Sequence, residues 1–215
     1  MKKDLKTATI KAVIFDCDGV LFDTADANRR YYNEVLEKFG KPPLTDDQFE
    51  KVHMYTVKQA LEFLFPEREN LADVHRCLKE IGYQKFIAYM RMAPGLRELL
   101  AGLRTRSYIT GVATNRTDTM EKVLADNCLS DEFDIVVTAA DVENPKPAPD
   151  QLEKIMKRFG IKPAEIFFVG DSKFDMLAAE SAGTVFAAFA NPELKADHHV
   201  EKMEQIGKIL QINEQ

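Results

Sequence analysis

The chain has 215 residues, of which 45% are hydrophobic and 30% are charged, which leaves room for one large domain or for one domain that carries a smaller one. Its formal net charge of −6 argues against nucleic acid as a partner, because a phosphate backbone binds to a basic surface. No apolar run approaches the ~20 residues that span a bilayer, and the N-terminal residues lack the apolar core of a signal peptide. We therefore expect a cytoplasmic protein with no membrane partner.

Five short runs that are rich in β-branched or aromatic residues predict strands. They lie at residues 12–15, 108–114, 134–138, 165–170 and 184–190. Helical patterns separate the last four runs, and Gly160 and Gly183 are predicted to end two of these helices. This alternation predicts an α/β fold with a doubly wound, Rossmann-like parallel sheet that helices cover on both faces.

The connection between the first and second runs is more than ninety residues long, far more than one crossover needs. Most of it has apolar residues at helical spacing, and residues 72–92 are predicted to form one long helix. Residues 22–92 are therefore predicted to form a helical insert after the first strand. The α/β core then comprises residues 1–21 and 93–215.

Polar side chains follow four of the predicted strands, at the point where each strand ends. They are Asp16 and Asp18 after the first, Thr114 and Asn115 after the second, Lys146 after the third, and Asp171 and Asp175 after the fourth. Ligands of open parallel sheets bind outside the carboxyl ends of the strands, so these side chains are expected to meet. Converging carboxylates need a cation, for which oxygen ligands favour Mg²⁺, while the lysine and the Thr–Asn pair supply donors for a phosphate. Since a carboxylate can act as a nucleophile, the pattern predicts phosphoryl transfer through an aspartyl phosphate.

Some of these residues also have a simpler interpretation. Thr114 could cap the helix predicted at residues 116–129, and Asp175 could be an ordinary acid at a helix start. Ser172 is expected to cap the helix that follows it. Cys17 lies between the first two aspartates, but alternation along a strand turns its side chain to the opposite face, where it packs.

The motifs DxDG, TN, Lys146 and GDSxxD, in this order and each at a predicted strand end, resemble those of the haloacid dehalogenase superfamily. The resemblance implies that Asp16 is the nucleophile, and that Asp18 is the general acid that later serves as base for the incoming water. It also implies a sheet order of 5-4-1-2-3, numbered by the order of the five runs along the chain. The remaining implied roles are phosphate binding by Thr114, Asn115 and Lys146, and Mg²⁺ binding by Asp16, Asp171 and the backbone carbonyl of Asp18, with Asp175 in support.

The helical insert is similar to the cap that members of this superfamily carry after the first strand. Such a cap closes over the site and determines substrate selectivity. The stretch VHMYTVKQAL offers His53, Tyr55, Thr56 and Lys58 near a predicted helix start, where they could contact the substrate beyond its phosphate. A solvated helix end accounts for these residues equally well.

Two stretches, GDSKFDMLAAESAG and KPAPDQL, resemble the phosphoglycolate-phosphatase and pyrophosphatase-like group. The related β-phosphoglucomutase group usually carries an acidic residue where this chain has Gly170, and glycine where it has Asp175. We therefore expect a Mg²⁺-dependent phosphatase that acts on a small phosphorylated metabolite, as a monomer or a weak homodimer. The alternative is a phosphosugar mutase that uses the same aspartyl phosphate. A non-catalytic interaction protein is a third hypothesis, which the complete set of motifs disfavours.

Overall fold

A computed structural model of the chain describes residues 9–55 and 57–212, without the side chain of Met54. The chain divides into two compact units. The core unit contains the described residues up to Asp23 and those from Met92 onward, and the helical unit contains Thr24–Arg91. The boundaries expected from the sequence, 22 and 92, lie within two residues of these positions.

The strands follow the predicted runs closely, with three short additions. They are β1 (Ala12–Phe15), β2 (Phe22–Asp23), β3 (Arg91–Met92), β4 (Ile109–Ala113), β5 (Ile135–Val137), β6 (Ile166–Gly170), β7 (Val185–Phe189) and β8 (His198–Val200). Six of them form a parallel sheet in the order β5-β4-β1-β6-β7-β8, and β2 pairs with β3. The predicted α/β class and the predicted order of the five runs are both confirmed, whereas the sixth strand of the sheet, β8, was not predicted.

The longer connections are helical. The helices are α1 (Ala25–Lys38), α2 (Asp46–Met54), α3 (Val57–Leu64), α4 (Ala72–Ile81), α5 (Leu96–Thr105), α6 (Met120–Asp126), α7 (Asp150–Phe159), α8 (Lys173–Ala182) and α9 (Met203–Ile209). Gly160 and Gly183 end α7 and α8 in the left-handed conformation, as predicted. No helix among the residues that the structure describes is long and apolar enough to cross a membrane.

The central strands of the core unit are buried along their whole length. All four residues of β1 and all five of β6 are buried, which explains why both read in the sequence as continuous apolar runs. On one side of the sheet, Ile14 and Phe168 belong to the same apolar cluster as Leu152 of α7 and Ala178 of α8. This packing fixes the carboxyl ends of β1 and β6, from which the acidic motifs emerge.

The helical unit contains α1 to α4, and the prediction of one long helix over residues 72–92 is wrong. Helix α4 ends at Ile81, because Gly82 adopts a positive φ of 66°. A 3₁₀ helix follows at Gln84–Tyr89. The Tyr83 hydroxyl next to this break donates a hydrogen bond to Asn28 of α1 at 2.5 Å. The break thus lets residues beyond α4 pack against α1.

Candidate active site at the strand ends

Asp16 is the first residue after β1 and remains tied to the sheet. Its backbone N–H donates to the carbonyl of Val169 at 2.8 Å, and Asp16 as a whole is only 7% exposed. The chain then turns at Gly19, whose φ is +77°. Cys17 is fully buried, as predicted, although it lies in the turn after β1 rather than in a strand, and burial raises the pKa of its thiol. The turn leaves Asp16 in the interior while the side chain of Asp18 is 39% exposed.

Lys146 occupies the centre of the site. Its ammonium group donates to Asp16 Oδ1 at 2.7 Å, to Asp175 Oδ1 at 2.6 Å and to the carbonyl of Ala113 at 2.8 Å. An ammonium group has three protons, so these bonds fix its position completely. Burial alone would lower the pKa of Lys146, but the two carboxylates raise it above its usual value. Lys146 is therefore a permanent buried cation between two acids from different parts of the chain.

Asp175 reaches Lys146 from the first turn of α8. Its other oxygen, Oδ2, accepts hydrogen bonds from the backbone N–H and the hydroxyl of Ser172, while the Ser172 hydroxyl caps the helix, as predicted. Asp175 is an acid of the first turn of α8 that takes part in its capping box, as the simpler interpretation holds, and it is also a completely buried partner of Lys146. A Cβ atom placed on Gly170 would lie 2.3 Å from the Cβ of Asp175. The two positions therefore share one space, which Asp175 fills.

Asp171 completes a group of three carboxylates. One oxygen from each of Asp16, Asp171 and Asp175 can be chosen so that all lie within 4.8 Å of one another. Burial raises the pKa of Asp171 to about 8, and the negative charges of Asp16 and Asp175 contribute. A Cβ on Gly19 would lie 1.9 Å from Asp171 Oδ2, so only glycine permits this approach. Burial raises the pKa of Asp16 as well, against the opposing effect of Lys146.

The charges of this cluster fit a divalent cation. Four acids carry four negative charges when ionised: Asp16, Asp18, Asp171 and Asp175. Two cations that pair with them, Lys146 and Arg116, carry two positive charges. Two negative charges therefore remain uncompensated. Hard carboxylate oxygens are the ligands that Mg²⁺ prefers. Asp175 already accepts hydrogen bonds from Lys146 and Ser172, so Asp16 and Asp171 are the better-placed ligands. The residues present therefore suit the metal that the sequence predicts.

The residues after β4 form a turn rather than a helix start. Thr114 is 1% exposed, and its hydroxyl accepts a hydrogen bond from the backbone N–H of Arg116 at 3.2 Å. Helix α6 begins only at Met120, with Thr119 at its N-cap. The interpretation of Thr114 as the cap of this helix is therefore wrong, because residues 115–119 separate Thr114 from the first residue of α6.

Asn115 is close to the site, but its side chain supports a neighbouring loop. Its amide donates to the carbonyl of Lys146 at 2.9 Å. Since the ammonium group of Lys146 donates to the carbonyl of Ala113, two bonds in opposite directions join the loops after β4 and β5. If Asn115 binds a phosphate, its backbone N–H and the second proton of its side-chain amide are the donors that remain for it.

Two residues at the site were not anticipated from the sequence. Arg116 binds Asp18 through two hydrogen bonds, from Nε at 2.8 Å and from Nη2 at 2.6 Å. Gln151 is fully buried and donates to the carbonyl of Thr114 at 2.7 Å, which holds the end of β4. Arg116 could have been noticed, since it directly follows the Thr–Asn pair. Gln151 lies on a helix where a polar residue is expected to face water, so the sequence offers no signal for it.

The residues proposed for substrate selectivity lie in the helical unit. The ring of His53 stacks on Phe49 at 5.2 Å, and Tyr55 is 39% exposed. The side chain of Lys58 is 80% exposed and lies 3.9 Å from Glu62. Thr56 lies outside the described residues. These observations leave the selectivity role of His53, Tyr55 and Lys58 as a prediction.

Comparison with known proteins decides the family. The model of the haloacid dehalogenase-like hydrolase family matches residues 13–189, which include every motif described above. The chain belongs to the haloacid dehalogenase-like hydrolase family. The family resemblance read from the motifs is therefore confirmed, and so is the expectation of a hydrolase.

Individual relatives in this family cover most of the chain. A phosphoglycolate phosphatase of Nitrosospira multiformis is 33% identical over 186 residues, 81% of each chain. A phosphorylated carbohydrates phosphatase of Thermotoga maritima is 29% identical over 179 residues, 81% of this chain and 82% of the relative. A solved hydrolase of this superfamily from Geobacter sulfurreducens, subfamily IA, is 40% identical, covers 94% of this chain and 96% of its own, and superposes with a TM-score of 0.83.

Proposed function

We propose that this family member is a Mg²⁺-dependent phosphatase that hydrolyses a small phosphorylated metabolite through an aspartyl phosphate on Asp16. The observation that carries the proposal is the position of Asp16: a buried carboxylate bound by Lys146 and grouped with Asp171 and Asp175 at the strand ends. An ion pair of this kind is expensive to bury, and such groups concentrate at functional sites. Relatives named as phosphatases of phosphoglycolate and of phosphorylated carbohydrates support the substrate class.

In this proposal each residue has a distinct task. Lys146 binds one oxygen of Asp16 and so orients the carboxylate toward an in-line attack on phosphorus. Asp18 donates a proton to the leaving oxygen, and then, as a carboxylate, removes a proton from the water that attacks the phosphoenzyme. Thr114 and the backbone N–H of Asn115 donate to the phosphoryl oxygens, and Lys146 joins them when it exchanges one of its three present acceptors for a phosphoryl oxygen. These residues can act together because the loops after β1, β4 and β5, which carry them, meet at the carboxyl ends of the strands.

Asp16 and Asp171 would hold the metal, with the backbone carbonyl of Asp18 as a further ligand and Asp175 in support. When bound, Mg²⁺ would neutralise the charge of the phosphoryl group and screen the carboxylates from each other. The chain's own contribution is to keep Asp16 and Asp171 within 4.8 Å while Gly19 provides the space beside Asp171.

Hydrolysis is favoured over mutase chemistry by the residue that pairs with Lys146. In this chain Asp175 reaches Lys146 from α8 and leaves no space for a side chain at position 170. This arrangement is the reverse of the acid-then-glycine pattern of the β-phosphoglucomutase group. A mutase must also keep water away from the phosphoenzyme until a sugar hydroxyl arrives, whereas a phosphatase needs only Asp18 and water.

A panel of phosphorylated metabolites assayed with Mg²⁺ tests the proposal. Phosphoglycolate and β-glucose 1-phosphate are the two informative members of the panel. Rapid-quench experiments on both measure which product forms first. We expect inorganic phosphate as the main product of whichever compound reacts. Formation of glucose 6-phosphate faster than phosphate would establish the mutase instead. With Asp18→Asn and a substrate that has a good leaving group, the phosphoenzyme should accumulate, because the attacking water lacks its base.

The helical unit would be the cap of this enzyme, with His53, Tyr55 and Lys58 contacting the substrate beyond its phosphate. We also propose that the protein acts in the cytoplasm as a monomer or weak homodimer, without nucleic acid or membrane partners. The net charge of −6 supports the exclusion of nucleic acid.

A further inference from the structure

The loop after β7 contains none of the sequence motifs, but it reaches the group of three carboxylates at the strand ends. Asn191 is the second residue after this strand, and its side-chain amide donates a hydrogen bond to the backbone carbonyl of Asp171 at 2.8 Å. Its other polar atom, Oδ1, accepts a hydrogen bond from the backbone N–H of Glu193 at 3.3 Å. Asn191 therefore ties the loop after β7 to the residue that follows β6.

The peptide unit between Asp171 and Ser172 is bound on both sides. Its carbonyl accepts the hydrogen bond from Asn191, and its N–H donates to Asp175 Oδ2 at 3.0 Å. Because a peptide unit is planar, these two bonds fix the orientation of the whole unit and restrict rotation about the backbone of Asp171. Asp175 belongs to the carboxylate group itself, so Asn191 is the anchor that comes from outside this group.

The turn that Asn191 forms does not explain an asparagine at this position. An Oδ1 that accepts the N–H of the residue two places on is the usual bond of such a turn, and an aspartate supplies it equally well. The amide of Asn191 is used instead for a contact 20 positions away in the sequence. The donor, which an aspartate lacks, is thus the feature of Asn191 that the contact with Asp171 requires.

The backbone next to Asn191 is strained. Four non-glycine residues in the described part of the chain have a positive φ, and three of them directly follow the C-cap of a helix, where this conformation is common. The fourth, Ala190, has a φ of 50° and follows strand β7 instead. Its N–H donates to the carbonyl of Val200 at 2.7 Å. A left-handed alanine persists only where its surroundings hold it, and such strain is concentrated at functional sites.

The space around the carboxylate of Asp171 leaves little room for movement. Its Oδ2 lies 1.9 Å from the position that a Cβ on Gly19 would occupy, and oxygens of Asp16 and Asp175 lie within 4.8 Å of one of its own. Mg²⁺ requires near-ideal octahedral geometry with ligands at about 2.0–2.1 Å, so a displaced carboxylate would bind it poorly. The contacts of the Asp171 backbone are therefore placed where they can set the position of a metal ligand.

We infer that Asn191 is a positioning residue for the proposed metal site: it holds the peptide between Asp171 and Ser172 so that the carboxylate of Asp171 stays beside that of Asp16. In this role Asn191 acts through Asp171 and touches neither substrate nor metal. The inference rests on the proposed function, because it adds to the Mg²⁺ site of that function the residue that supports one ligand. Loss of such an outer contact typically weakens metal binding by roughly 10–100-fold.

Calorimetric titration of the metal-free protein with Mg²⁺ tests the inference without requiring turnover. Asn191→Ala should weaken Mg²⁺ binding by about tenfold or more. Asn191→Asp keeps the acceptor for Glu193, but it loses the donor and adds a negative charge. Charge alone would strengthen the binding of a cation, so weaker binding by at least about threefold would identify the lost donor as the cause. Wild-type affinity in Asn191→Ala, or tighter binding in Asn191→Asp, would overturn the inference.

Asn127→Ala is the matched control. The amide of Asn127 also donates to a backbone carbonyl, that of Val123, at 2.8 Å, and both bonds are partly buried. Both alanine variants should therefore lower the Tm of the metal-free protein by a similar amount, about 2–4 °C, whereas only Asn191→Ala should lose Mg²⁺ affinity. An equal loss of affinity in the two variants would make destabilisation the cause and reject the role of Asn191. If Asn191→Ala does not fold, Asn191→Asp, which keeps the turn, decides alone.

The inference and the proposed function fail separately. A wild type that hydrolyses phosphate esters with Mg²⁺, while Asn191→Ala binds Mg²⁺ equally tightly, would reject the inference alone. A wild type that binds Mg²⁺ more tightly than Asn191→Ala does, but hydrolyses no phosphate ester, would reject the proposed function alone.

Discussion

The two units of this protein place their charges in opposite ways. In the core unit, Asp16, Lys146 and Asp175 are each less than a tenth exposed and bind one another. In the helical unit, no charged residue that the structure describes is buried, and ion pairs such as Lys85–Glu34 lie at the surface. Its interior is an apolar and aromatic cluster instead.

The contrast distinguishes surface charges, which are ordinary in a stable fold, from buried charges, which stability alone does not explain. A surface ion pair contributes about 0–1 kcal/mol, and an apolar interior stabilises a small unit without any. A buried ion pair commonly contributes less to stability than apolar groups of the same volume would. Lys146 and its partners are therefore best explained by chemistry, whereas the pairs of the helical unit are ordinary surface contacts.

Replacement of the proposed nucleophile is expected to have the largest effect. Asp16→Asn keeps the shape of the side chain but removes the charge that we propose attacks phosphorus. Turnover should fall by at least about 10⁴-fold, the order seen when other enzymes lose a nucleophile. Phosphate release and acid-quenched phosphoenzyme measure the loss. Near-wild-type turnover would mean that a different group attacks.

Removal of one lysine from each unit tests the contrast in stability directly. Without Mg²⁺ at pH 8, Lys146→Met should lower the free energy of unfolding by about 3–5 kcal/mol, because it leaves buried carboxylates without a partner. Lys41→Met in the helical unit removes a pair with Glu67 and should cost about 1 kcal/mol or less. Urea unfolding followed by circular dichroism measures both. Equal losses in the two variants would remove the distinction between the units.

Asp171 should make stability depend on both pH and Mg²⁺. Burial raises the pKa of Asp171 to about 8 in the folded, metal-free protein, above the ~3.9 of an unfolded chain. The folded state therefore binds more protons between these pH values, and the free energy of unfolding falls as the pH rises. Scanning calorimetry should show that Mg²⁺ raises the Tm more at pH 8 than at pH 6.

Asp171→Asn should show little Mg²⁺-dependent shift in Tm, since the variant lacks a proposed ligand. Without metal at pH 8, the same variant should be more stable than the wild type, because one of three mutually repelling carboxylates is gone. A Mg²⁺ shift of wild-type size in Asp171→Asn would exclude this residue as a ligand.

The smallest effect is expected in the helical unit. If Lys58 contacts the substrate, Lys58→Ala should change kcat/KM at most about fivefold, and only for some members of the panel, since an exposed charge contact is worth about 1 kcal/mol or less. Lys79→Ala, another exposed lysine of the same unit, is the control. An identical change for every substrate, or the same change in the control, would remove Lys58 from the selectivity residues.

The core unit was the more predictable of the two. Its buried strands read as apolar runs because both faces are covered, and the acids at their ends were predicted from the sequence. The order of the strands was implied by the family resemblance. Strand β8 was missed because its three residues, His198, His199 and Val200, have no apolar run to mark them. The helical unit was predicted less well, since the apolar spacing of residues 72–92 continues through Gly82, where the backbone breaks the helix.

Within the site, the sequence identified which residues meet but not how they pair. The binding of Asp18 by Arg116 depends on a turn that starts at Thr114, and no periodicity marks that turn. The Asn115 side chain donates to the carbonyl of Lys146, 31 positions further along the chain, and is likewise a long-range contact. Side-chain pairing of this kind is determined by the assembled loops rather than by any local pattern.

The shared space of positions 170 and 175 has an evolutionary consequence. Because a Cβ on Gly170 would overlap Asp175, an acid at 170 is tolerated only after Asp175 has become smaller. The intermediate with glycine at both positions leaves Lys146 without one of its two carboxylate partners. We therefore expect the two substitutions to be epistatic: an acid at position 170 should be less harmful with glycine at position 175 than with Asp175.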